Sequence, residues 1–237
     1  MAKFAEQANK AAKALSTTTT DYTNAALIYY RQGLSDEEAQ ARTDVTMKLA
    51  NASGVSAETA AEQMTAIWNN FAKGSKNLEY FADVITALGA STASSTSEIA
   101  EGLEKFAAIG NTVGLSYEYA ASALATVTAT TRQSADVVGT AFKTMFARIQ
   151  DLEVGETLED GTTLGKYSKA LAAVGVNIKD ANGELKQMDQ ILEEMATAWQ
   201  NISKDQQVAL AQTVAGTRQY TQLVALMENW DFMQTNL

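Results

Sequence analysis

The sequence predicts an all-α protein: a multi-helix bundle of short to medium amphipathic helices, with one small β-hairpin near residues 176–186. Three observations lead there. None of the 237 residues is proline, the residue whose ring removes a donor and clashes inside a helix. Apolar side chains recur over most of the chain at the spacing that gathers them on one stripe of a 3.6-residue helix. Serine, closely preceded by glycine, returns where one helix should stop and the next begin.

Taken in order, residues 3–15 are helix-prone, and the polar run STTTTD at 16–21 reads either as a linker or as a capped start. Residues 22–32 carry Ala26, Tyr29 and Tyr30 on one side. A short motif then recurs. Gly33-Leu34-Ser35-Asp36-Glu37-Glu38-Ala39, Gly54-Val55-Ser56-Ala57-Glu58-Thr59-Ala60 and Gly114-Leu115-Ser116-Tyr117-Glu118-Tyr119-Ala120 all read G-[LV]-S-x-E-x-A. Glycine ends the previous helix, the aliphatic residue is placed to staple, serine caps, and glutamate meets the positive dipole end. The copies are unequally spaced, which favours helix punctuation over a repeat architecture.

Between these marks helices are expected at 35–52, 56–73 and 77–89. Met64, Ile67, Trp68 and Phe71 form one apolar stripe, and Leu78, Phe81, Ile85 and Leu88 form another. Residues 90–97 (ASTASSTS) are a small polar connector, followed by a helix at 97–109 with Ile99, Leu103 and Phe106 inward. The rest is organised around residues 114–155, two amphipathic helices joined near Gln133. Tyr117, Ala120, Ala121, Leu124 and Thr128 form the stripe of the first, and Val138, Phe142, Met145, Phe146 and Ile149 that of the second. Ser116 and Ser134 stand at the two entrances as N-caps, with Glu118 and Asp136 early in each helix.

Beyond this the character changes. Residues 153–165 (EVGETLEDGTTLG) are acidic and glycine-rich and read as an exposed loop, and 167–174 as a short helix. Residues 176–186 read as a two-stranded hairpin around the Asn182-Gly183 turn. Helices at 188–201, 204–215 and 217–229 close the chain. The division is a helical core over 1–152 and a second part over 153–237 with the acidic loop, the hairpin and the C-terminal helices, the two packed as one unit.

Composition narrows the chemistry. With no cysteine and no histidine, there is no disulfide framework, no common zinc site and no Ser-His or Cys-His nucleophile. A net charge of -10 and a pI near 4.6 speak against nucleic-acid binding, which needs clustered Lys and Arg. No apolar run approaches the length of a membrane span, and the N-terminus shows no signal-peptide hydrophobic region.

Candidate motifs fail one by one. Gly161-Thr162-Thr163-Leu164-Gly165-Lys166 resembles a phosphate-binding loop but has one residue too few between its glycines, Tyr167 where the metal-holding hydroxyl belongs, and no preceding strand. Asp180, Asn182 and Gly183 compare with a calcium loop, yet Asp189 stands where the bidentate glutamate is needed. The carboxylates Asp36, Glu37, Glu38, Glu193 and Glu194 read as solvated helix faces, and Trp68, Trp199 and Trp230 as core or interface. No catalytic, cofactor-binding or metal-binding residue is assigned, and no cofactor is expected. The residues singled out are structural: Gly183 for a positive φ in its turn, Gly216 for a helix break or close packing, Arg218 for an acidic neighbour, a carbonyl cap or a partner contact, and Phe142, Met145, Phe146 and Ile149 as core.

One resemblance adds to this reading. The run from Gly175 to Asn229 contains Asp180-Ala181-Asn182-Gly183-Glu184-Leu185, a helix leading to Trp199, a capped helix from Ser203, and Ala215-Gly216-Thr217-Arg218-Gln219. In that order it resembles the helical core region of phage tail tape measure proteins. The earlier segments TDYTNAALIYYRQGLSDEEA and SADVVGTAFKTMFARIQDLEVG resemble the same core, so the likeness covers nearly the whole chain. It implies a structural, non-enzymatic module in the tail lumen of the virion, present in the host cytoplasm during assembly, that acts in tail assembly, length determination and genome ejection. Its partners would be tail tube and tail assembly proteins, or further copies of itself. The alternative is a module meeting the host envelope or membrane during DNA entry, for which the Ala-, Gly- and Thr-rich helices at 84–147 are the candidates. One continuous helix of this length would reach only about 350 Å, and the glycine punctuation argues for a folded piece of a longer chain.

Overall fold

The computed structural model describes residues 2–73, 77–150 and 165–237. Among them are thirteen helices: α1 (Ala2–Ala14), α2 (Thr19–Arg31), α3 (Asp36–Ser53), α4 (Ala57–Phe71), α5 (Leu78–Ser91), α6 (Thr96–Thr112), α7 (Tyr117–Thr131), α8 (Ala135–Ile149), α9 (Lys166–Ala172), α10 (Met188–Trp199), α11 (Lys204–Ala215), α12 (Tyr220–Glu228) and α13 (Trp230–Thr235). The polar run at 16–21 is a capped start, with Thr18 accepting from the Asp21 N–H at 3.0 Å. Ser35, Ser56, Ser95, Ser116, Ser134 and Ser203 likewise cap the helices they precede. Each such cap satisfies one of the donors that a helix N-terminus leaves orphaned.

The helices share one apolar core. α2, α3 and α4 form a layer in which the Tyr29 hydroxyl meets Thr46 Oγ1 at 2.5 Å and the Tyr29 ring lies 6.0 Å from Trp68. α4 carries that layer onto α6, and α6 packs against α8 through glycine. A Cβ on Gly139 would stand 2.6 Å from the Gly102 carbonyl oxygen, so the two backbones approach as only glycine allows. Above the crossing, Phe106 stacks edge-on to Phe142 at 5.4 Å and lies 5.8 Å from Phe146.

α7 is buried nearly all round, enclosed by α5, α6, α8, α12 and α13. Its Ala, Leu, Val and Thr side chains explain this: a helix with no charged face after its first turn must be covered on every side. Three of its four threonines and its serine bond back to the chain. Thr128, Thr130 and Thr131 donate to carbonyls one turn earlier, and Ser122 donates to the Asn236 carbonyl. Among the described residues, no helix is long and apolar enough to cross a membrane.

Two expectations are corrected. The hairpin near 176–186 does not form; among the described residues there is no strand, only a single antiparallel bridge between Lys179 and Leu185. The reason is local. The Asp180 carboxylate draws in the Asn182 and Glu184 N–H groups, tightening the turn. On the far side, the Lys186 carbonyl is taken by Gln150 and the next residue already caps α10. Leu185 is left 46% exposed, so the outer arm is poorly covered. Marginal pairs of strands need such cover. The helix expected at 217–229 starts at Tyr220 and gives way at Asn229 to α13. Gly216, with φ +84, holds the chain outside the helical region, and the break at Asn229 lets Trp230 reach Tyr119. The acidic loop expected at 153–165 and the phosphate-loop-like segment at 161–166 lie, up to residue 164, outside the described residues.

Candidate functional site

The side chains singled out from sequence sit in three places. Phe142, Met145, Phe146 and Ile149 are at most 1% exposed and face α6 and its neighbours. Gly183 occupies the Asp180 turn at φ +83 with nothing within 4 Å of where a Cβ would be. Gly216 and Arg218 follow α11, but they part company. Arg218 is exposed. No described residue forms an ion pair with it.

At Gly216 a different arginine matters. The Arg148 guanidinium, from the last turn of α8, lies 2.5 Å from the position of a Gly216 Cβ and 5.8 Å from the Tyr167 ring of α9. The guanidinium thus lies against glycine and over an aromatic ring at once, a use to which arginine is suited. Its Nε is buried without a hydrogen-bond partner among the described residues. The contact ties α8, α9 and the end of α11 together. Nothing in the sequence around Arg148 distinguishes it from the other charged residues of an amphipathic helix.

A polar junction lies at the third glycine-serine corner, between α6 and α7. The Val113 carbonyl accepts from the Met188 N–H at 3.0 Å and from Gln150 Nε2 at 3.1 Å. The same Gln150 amide donates to the Lys186 carbonyl at 2.9 Å. Ser116 caps α7 through its hydroxyl, while its own N–H donates to the Asp189 carboxylate at 3.0 and 3.3 Å. Tyr119 donates to Glu193, and Gln234 of α13 donates to the Tyr119 hydroxyl at 3.3 Å. Tyr80 of α5 donates to Glu118. Burial, opposed by the Ser116 hydrogen bonds and reinforced by Glu193 and Glu118, pushes the Asp189 carboxyl above its ordinary range. The bond to Glu118, then burial, pushes the Tyr80 hydroxyl up to about 12.

What this arrangement does chemically is hold helices. Asp189, Glu193 and Glu118 are occupied by backbone and tyrosine donors, and among the described residues no group of acidic side chains is placed to hold a metal ion. An open cavity of about 1000 Å³ beside the Asp180 turn is lined by Lys169, Lys179 and Lys186 with Gly165, Ser168 and Asn177. Lys186 in it is paired with Glu194 at 2.6 Å.

A family model described as phage-related minor tail protein matches residues 6–216. No solved structure matches the chain. The match takes in α2 to α11 and both junctions, and ends at the glycine that closes α11.

Proposed function

The chain belongs to the phage-related minor tail protein family, and from that premise we propose that it is a structural module of a tail tape measure protein, acting in tail assembly, length determination and genome ejection. The family carries a structural role in the phage tail, with other tail proteins as partners. The finer reading places the module in the tail lumen, and in the host cytoplasm during assembly, docked to tube and assembly proteins or to further copies of itself. It makes and breaks no covalent bond: incubation with purified peptidoglycan is expected to release nothing.

One observation carries the reading: the family match runs over a helical bundle with a single shared core. The same fold limits how the module contributes. Among the described residues the longest helix has 18 residues, about 27 Å at the usual rise, so they supply a folded body and not the extended span that a length gauge needs. In-frame removal of residues 6–216 from the phage is the test, with tails counted and measured by electron microscopy. Few complete tails, and loss of DNA delivery from those that form, are expected. Normal numbers of tails that deliver DNA normally would sink the proposal.

A further inference from the structure

The three glycine-serine corners begin helices in the same way but are not closed in the same way. At the first, the Ser35 N–H is taken by Glu38 Oε2 at 3.0 Å, from the third position of the same helix. At the last, that position is Tyr119, which has no carboxylate to give. The Ser116 N–H is instead taken by Asp189, 73 residues further along. The capping box of α7 is thus completed in trans by the first turn of α10. Around it, Met188 and Gln150 grip the Val113 carbonyl, and the Gln187 side chain fills the place where a Gly114 Cβ would be.

This grip works against an opposing force. Asp189 is part-buried, and the groups around it are Glu193 on its own helix, Glu118 and Tyr119 on α7, and, behind these, Tyr80 of α5 and Gln234 of α13. The nearest lysine in sequence, Lys186, is turned to Glu194. A carboxylate brought among other carboxylates without a cation repels them and loses hydration.

We propose that Asp189 is a latch, a positioning residue through which the C-terminal helices complete the first turn of α7, and that its release lets them lift from the α6–α7 corner while α2 to α6 stay folded. Acid closes the latch. A carboxyl that holds its proton more tightly in the closed form contributes stability that is present below its ordinary range and is lost as pH rises through the raised value.

Amide hydrogen exchange on the whole chain tests this, from about pH 4 to about pH 7, with each rate divided by its intrinsic rate at that pH. In the unmodified protein, protection at residues 116–119 is expected to fall several-fold toward neutrality while the amides of α4 hold theirs. Asp189→Asn keeps an acceptor without the charge, so protection should stay high and lose its pH slope. Asp189→Ala should lose protection at 116–119 at every pH with α4 unchanged. Should the alanine variant fail to fold, the asparagine variant decides alone. A wild-type pH slope in Asp189→Asn, or exchange at 116–119 that only ever tracks α4, overturns the latch.

Discussion

Phe146 and Thr126 show how opposite two buried residues can be. Phe146 fills the crossing of α6 and α8 beside Phe106 and Phe142, so Phe146→Ala removes ring contacts and leaves a void. A loss of roughly 3 to 5 kcal/mol is expected in urea unfolding; an unchanged midpoint would mean the site collapses freely. Thr126 is fully buried, with a hydroxyl that finds no partner among the described residues. Thr126→Val keeps the shape and deletes the unsatisfied group, so stability should rise, by about 1 kcal/mol. A fall in melting temperature would show that the hydroxyl is satisfied. The first residue was legible from sequence, because spacing alone put Phe142, Met145, Phe146 and Ile149 on one stripe. The weight carried by Arg148 and Asp189 was not, because each acts on a residue far away in sequence: Gly216 for one, Ser116 for the other.

Among the elements, α3 and α7 follow the same glycine-serine start and end differently. α3 keeps a charged outer face at Asp36, Glu37 and Lys48 and stays at the surface; α7 has no such face and is enclosed. Removing a cap should therefore have unequal effects. Ser35→Ala and Ser116→Ala each delete a side-chain cap worth about 0.5 to 2 kcal/mol, but the second also disturbs the corner that α10 grips. Thermal melts of the two variants should place Ser116→Ala lower, and equal shifts would mean the two caps act locally and alike. The small residues between 84 and 147 include Gly102 and Gly139, which allow close helix-to-helix approach. Helix positions were readable because caps and stripes are local. The turn at 176–186 was misread because strand formation depends on cover from elsewhere, and periodicity holds no record of it.

At the scale of the whole molecule, the family match stops at residue 216 while the core does not. α12 and α13 bury Leu223, Leu226, Met227 and Met233, and together with α10 and α11 they close the core on the C-terminal side. A chain ending after Gly216 should uncover part of α7, lose cooperativity in thermal unfolding and bind a hydrophobic dye. A sharp transition near that of the full chain would show that the matched region is self-sufficient. Net charge acts at this scale too: at -10, copies repel one another at neutral pH, so association between modules should strengthen as salt is added.

The amino-acid sequence by itself determined most of the helices and, at their serine caps, where they begin, the apolar stripe of α8, and which chemistries are closed for want of histidine and cysteine. All of these depend on neighbours within a turn or on composition. Tertiary structure alone decided that α7 is enclosed, that the Asp180 turn makes a bridge and not a sheet, that Arg148 and not Arg218 meets Gly216, and that Asp189 finishes the cap of a helix far upstream. Each of those depends on groups brought together across tens of residues, and no local pattern encodes which distant surface will arrive to cover a face or claim a free N–H.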